Sequence, residues 1–163
     1  MLIPVIISAL GFDSVTNDPI VILTEIGGKR TVPIWIGILE ATAVASELEG
    51  VKFFRPMTHD LLKNVLESMD VKVNKVEICD LKNDTYYALI HMAYKGKKIT
   101  VDARPSDAIA LSLRMKTPIF VSENVMNISP DIELELKNGE ESKHGKDWHE
   151  ILEKTDPEDF GKA

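Results

Sequence analysis

Hydrophobic positions change period several times along the chain, and each change marks an element. Leu2 to Leu10 reads as a buried strand, Pro19 to Ile26 as a second and Arg30 to Ile36 as a third, with Gly27-Gly28 turning the last two into a hairpin. Pro33 has no amide hydrogen, so this third strand is expected at a sheet edge or at a bulge. After Gly37 the period becomes helical. Ala41, Val44, Ala45 and Leu48 fall at i, i+3, i+4 and i+7, and Gly50 ends the run. The small residues Ala41, Ala43, Ala45 and Ser46 would let this helix pack closely on a sheet or another helix. Thr58 reads as the N-cap of a second helix, whose apolar face is Leu61, Leu62, Val65, Leu66 and Met69.

The second half repeats the sequence of periods. Val71 to Lys82 is a strand with a phase break near Asn74-Lys75 that predicts a bulge. Asn83-Asp84 is a turn signal, and Tyr86 to Tyr94 is apolar enough for a strand covered on both faces. Lys95-Gly96-Lys97 turns into a strand from Ile99 to Ala103. There Ile99, Val101 and Ala103 are expected inward, with Lys98, Thr100, Asp102 and Arg104 on the other face. Pro105 suits the first turn of a helix, and the residues from Ala108 to Met115 leave it only a narrow polar stripe. Pro118 to Val121 is a short strand. Each half thus carries a Gly-Lys hairpin, a strand and an Ala-x-Ala helix, as a duplicated β-β-α unit or convergent hairpin chemistry would each produce.

From Asp131 the character changes. Ile132, Leu134 and Leu136 alternate with charges as in a half-buried strand, and residues 138–146 read as a polar loop. Asp147 and Glu150 form a capping-box pattern before a short helix bearing Trp148, Ile151 and Leu152, which Pro157 ends. The fold class expected is α+β: a mixed, mostly antiparallel sheet with packed helices over residues 1–130, and an acidic extension with a strand and a short helix over 131–163.

Composition narrows the function classes. With 163 residues, 44% apolar and 28% charged, the chain can bury a proper core. It has no apolar run of the roughly 18–20 residues that a membrane helix needs. Met1 to Phe12 lacks a basic start and a small-x-small site and contains Pro4, unlike a signal peptide, so no membrane association and a cytoplasmic location are expected. Cys79 stands alone, leaving no intramolecular disulfide and no thiolate metal cage, and reads as a core residue. Residues 131–163 hold 11 acidic and 5 basic side chains, against 15 and 14 in the rest. Neither part has the basic footprint of a strong nucleic-acid binder.

Candidate chemistry gathers at two helix starts, Arg55-Pro56-Met57-Thr58-His59-Asp60 and Asp102-Ala103-Arg104-Pro105-Ser106-Asp107. Each brings an arginine, a proline, a hydroxyl and a carboxylate to an end whose free amides favour anions. Arginine adds a phosphate fork, and a carboxylate can hold Mg²⁺ or Mn²⁺. The alternative is structural: Thr58 and Ser106 as caps, the aspartates as dipole partners, the arginines in ion pairs. His59 in a first turn suits a ligand or a general base, or is simply exposed. His91 reads as a hydrogen-bonded sheet residue. Glu40 and Glu123 are helix-start carboxylates that could also join a metal site.

The runs Val32-Pro33-Ile34-Trp35-Ile36-Gly37 with Glu40-Ala41, Arg55 to Leu61, and Val101 to Leu111 closely resemble the bifunctional nuclease domain family, over roughly residues 1–130. Leu152 to Phe160 also resembles the tails of some bacterial members. The resemblance implies cleavage of DNA and RNA, the activity described for plant members, and places Glu40, Arg55, His59, Asp60, Asp102, Arg104 and Asp107 on matched positions. The reading adopted is divalent-metal-assisted phosphodiester hydrolysis of a nucleic-acid substrate by a homo-oligomer, most simply a dimer. Asp60 and Asp107, with Glu40 or Asp102, would hold the metal. Arg55 and Arg104 would hold phosphate, and His59 would orient or deprotonate water. Its rival is a non-catalytic oligomeric module that binds a protein partner or a small anionic ligand.

Overall fold

The computed structural model describes residues 1–130 and 143–154. The strand expected over residues 132–137 lies outside the described residues. So does the expected loop up to residue 142, whereas from Lys143 the chain is already helical.

The strands are β1 (Leu2–Phe12), β2 (Pro19–Glu25), β3 (Thr31–Trp35), β4 (Lys72–Lys82), β5 (Thr85–Tyr94), β6 (Lys97–Ala103) and β7 (Ile119–Ser122). The helices are α1 (Ile38–Leu48), α2 (Thr58–Ser68), α3 (Pro105–Met115), α4 (Glu123–Ile128) and α5 (Lys143–Lys154). All seven strands form one sheet in the order β3-β2-β1-β7-β4-β5-β6, parallel only between β4 and β7. The mixed, mostly antiparallel α+β architecture is therefore the expected one. β7 lies between β1 and β4, and a three-stranded meander runs outward from it on either side. The repeated unit is β-β-β-α rather than β-β-α, with α1 and α3 in equivalent places.

Local chemistry explains these elements. β3 does lie at an edge, with Pro33 opposite Ile22 of β2. The ladder of β4 with β5 slips between Val73 and Lys75, where the phase break predicts a bulge, and again between Ile78 and Asp80. Asn83 and Asp84 (φ 48° and 58°) make one tight turn, and Lys95 and Gly96 (φ 48° and 76°) the next.

One face of the sheet, carrying Ile3, Val5, Val73, Val76, Ile78, Ala88 and Val121, packs under the helices to form the core. α3 is its centre. Ala108, Ile109, Ala110 and Leu111 are all buried, as their pattern predicts. Trp148 and Leu152 of α5 join the same core, with the Trp148 ring stacked on Phe12 at 5.1 Å.

Several expectations change. Thr58 is the first helical residue of α2 and Met57 its N-cap. Arg104, not Ser106, is the N-cap of α3. Asp147 falls one turn inside α5, because that helix starts at Lys143. Leu61, Leu62, Val65 and Met69 of α2 are exposed, since only the opposite side of that helix meets α3. Leu48 is likewise 44% exposed, and Ser46 is buried in α1 instead. β5 is not covered on both faces, because Tyr87 stands on an open one. Ile99 and Val101 point to the helix side but lie at the sheet edge beyond α3, so they remain exposed.

Candidate functional site

α1 follows β3 and α3 follows β6, edge strands that run antiparallel to one another. The N-termini of the two helices nevertheless meet on a common cleft, where Arg104 reaches Glu40. Neither N-cap, Gly37 or Arg104, makes a side-chain capping bond, and both have extended backbone. The first-turn amide hydrogens therefore keep their appetite for anions. The cleft holds about 280 Å³ and is lined by Ile34 to Gly37, Glu40, Asp84 to Tyr86 and Arg104 to Ser106.

Arg104 organises this cleft. Its Nη1 donates to Glu40 Oε1 at 2.9 Å, its Nε to Asp107 Oδ2 at 2.8 Å and its Nη2 to Asp107 Oδ1 at 3.2 Å. Gly37 permits the Glu40 side of this clamp. A methyl group there would lie 2.2 Å from Glu40 Oε2, in space the carboxylate fills. The second helix start arrives from α2: His59 Nε2 lies 2.9 Å from Asp107 Oδ1. Partial burial alone would raise the Asp107 pKa. The hydrogen bonds from Arg104 and His59 outweigh it and hold the carboxyl below its ordinary value.

Behind this chain stands a residue that periodicity did not single out. Arg114 of α3 has a side chain only 3% exposed, with Nε donating to Asp60 Oδ1 at 2.6 Å. Its Nη1 donates to the carbonyls of Ala43 and Ala110, both at 3.0 Å. One guanidinium thus ties α1, α2 and α3 together. The other oxygen of Asp60 accepts from the Met57 amide at 2.9 Å, closing the first turn of α2. Burial opposes ionisation of Asp60, but Arg114 and the Met57 amide hold its pKa below the ordinary value. The available signal was the seven-residue spacing of Asp107 and Arg114, which puts both on the polar stripe of α3.

The predicted residues separate accordingly. Glu40, Arg104, Asp107 and His59 form one continuous chain of contacts, and Asp60 follows His59 directly. Arg55 is exposed and makes no ion pair among the described residues. Asp102 lies elsewhere: strand alternation puts it on the open sheet face, in the row of Leu89 and Glu77. On that face His91 bonds Glu77 at 2.8 Å, the sheet role expected for it. Cys79 is half-buried there, and burial together with the charge of Glu77 raises its thiol pKa. Glu123 pairs with the N-terminal amine, away from the cleft.

Glu40, Asp60 and Asp107 fail the test for a ready-made Mg²⁺ or Mn²⁺ cage. Arg104 occupies the gap between two of them and Arg114 engages the third, so their oxygens do not turn to one point. No group of three or more such side chains is poised for a metal among the described residues.

Among the described residues no helix is long and apolar enough to cross a membrane. Residues 21–131 match the profile of the bifunctional nuclease domain. The chain is 36% identical over 149 residues to an uncharacterized protein of Mycobacterium tuberculosis, covering 88% of this chain and 89% of that protein. It is 29% identical over 116 residues to bifunctional nuclease 1 of Oryza sativa, and 27% identical over 110 residues to bifunctional nuclease 2 of Arabidopsis thaliana. These matches cover 69% and 66% of this chain but only 35% and 33% of the plant proteins.

Proposed function

Since this chain belongs to the bifunctional nuclease domain family, we propose that it hydrolyses phosphodiester bonds of DNA or RNA in the cleft between α1 and α3. The observation that carries the reading is the meeting of the two helix starts, with His59 seated on Asp107 beside Arg104. With Nε2 donating to Asp107, Nδ1 would be the atom of a neutral His59 left to accept a proton. The imidazole would take a proton from water, or from a ribose hydroxyl, as the oxygen attacks phosphorus and the leaving oxygen departs. Arg104 would turn from a carboxylate to a non-bridging phosphate oxygen, aided by the uncapped amides of α1 and α3. Arg55 would add a second cation on the approach. Glu40 positions Arg104, and Asp60 positions His59 through the first turn of α2. Divalent-metal assistance would require Arg104 to leave Glu40 and Asp107 first.

The test is cleavage of labelled single-stranded RNA and DNA by wild type, His59→Ala and Arg104→Ala, each with Mg²⁺, with Mn²⁺ and with chelator. Both variants should lose about 100-fold or more in rate. Undiminished cleavage by either variant would remove that residue from the chemistry.

The rival reading, a non-catalytic oligomeric module for a protein partner or a small anion, is favoured by the full engagement of Arg104 with its own carboxylates. Oligonucleotide or phosphate binding that depends on Arg104, with no turnover by wild type under any of these conditions, would establish it.

A further inference from the structure

The two edges of the sheet are unlike. β3 carries Pro33 and has α4 packed against it. β6 is a regular seven-residue strand with neither protection among the described residues. Such an edge offers unpaired amides and carbonyls to another strand.

Which groups it offers follows from its hairpin. Lys95 and Gly96, both with positive φ, make a two-residue turn, so Tyr94 and Lys97 form the closing hydrogen-bonded pair. Lys97, Ile99, Val101 and Ala103 then spend their backbone groups on β5. Lys98, Thr100 and Asp102 direct theirs outward.

We propose that a second copy of this chain pairs along this edge, with β6 antiparallel to its counterpart about a two-fold axis at Thr100. The strand is self-complementary in that register. Lys98 falls opposite Asp102 of the other copy on the open sheet face, and Ile99 falls opposite Val101 on the helix side. The outward backbone groups of Lys98, Thr100 and Asp102 become the hydrogen-bonded positions. Neighbouring registers are worse: one sets Lys98 against Arg104, and the other leaves Asp102 opposite Gly96. Ile99 and Val101, 37% and 42% exposed in the single chain, would be covered. The pairing places Asp102 in an interface rather than in the cleft.

Sedimentation of the full chain and its variants tests this. Wild type should sediment at twice the chain mass at micromolar concentration. Thr100→Pro removes an outward amide hydrogen and no bond to β5, so it should yield a folded monomer. Lys98→Asp and Asp102→Lys should each weaken dimerisation by about tenfold, because each sets like charges opposite one another at two symmetric places. An equimolar mixture of these two variants should recover wild-type affinity, since every facing pair in the mixed dimer is again Lys against Asp. A wild type that stays monomeric to about 100 μM, a dimeric Thr100→Pro, or a mixture no tighter than its components would overturn the proposal.

Discussion

Arg104 and Arg114 have the same side chain and opposite consequences. Arg104 is 65% exposed, and screened pairs of that kind are worth about 0–1 kcal/mol. Arg104→Ala should therefore melt within a few degrees of wild type while losing cleavage. Arg114 is buried, and removing it leaves Asp60 and two helix carbonyls short of donors. Arg114→Met should cost roughly 2–4 kcal/mol in urea unfolding, tempered by the partial exposure of Asp60. If the two variants proved equally destabilised, the division between site and scaffold would be wrong. Gly37→Ala should act as a weaker Arg104 variant, because its methyl displaces the Glu40 carboxylate that steadies the guanidinium. Slower cleavage at unchanged stability is expected, and cleavage equal to wild type would show that the clamp is dispensable. Arg104 and Asp107 were legible because helix starts announce themselves through proline and carboxylate. Arg114 was not, because an arginine on a polar stripe looks solvated until the neighbouring helices are in place.

At the scale of elements, turns were the most readable feature. Asn83-Asp84 and Lys95-Gly96 admit left-handed backbone between apolar runs, and both hairpins form there. Coverage was the least readable. Periodicity made α2 amphipathic but could not say whether its leucines meet this chain or something else. Alternation likewise set Asp102 apart from Ala103, but which face would carry the cleft depended on where α3 lands. α5 is the element whose removal tests the domain boundary. Trp148 is 2% exposed, so Trp148→Ala should lose about 3 kcal/mol or more. Truncation after Pro130 should lower the melting temperature by at least as much as that substitution does. Iodide should quench the 41%-exposed Trp35 and not Trp148, leaving part of the native fluorescence protected. Complete quenching would mean that α5 does not dock in solution.

For the whole molecule, acid is the informative variable. Asp60 and Asp107 both have folded pKa values below their ordinary 3.8. A depressed carboxyl stabilises the fold above its unfolded value, and that contribution fades as pH falls through the folded one. Wild-type stability should hold from neutrality to about pH 4 and then decline. Asp107→Asn should start lower at neutral pH and decline less steeply below that point. Parallel acid limbs for the two proteins would show that Asp107 gains nothing from Arg104 and His59 on folding.

The position of β7 bears on how the chain assembles. Each meander joins neighbours along the chain through short turns, so each can form early and alone. Of the described strands, the one that bridges them is made last, and it lies between β1 and β4. Until residues 119–122 leave the ribosome, the two halves have no shared sheet, and the nascent chain carries two small sheets with raw inner edges. Joining them is the long-range step, and contact order makes it the one expected to be slow. Val121, fully buried at that seam, is the residue to weigh it by. Val121→Ala should slow refolding in a stopped-flow experiment more than it speeds unfolding, whereas truncations of comparable size within either hairpin should not.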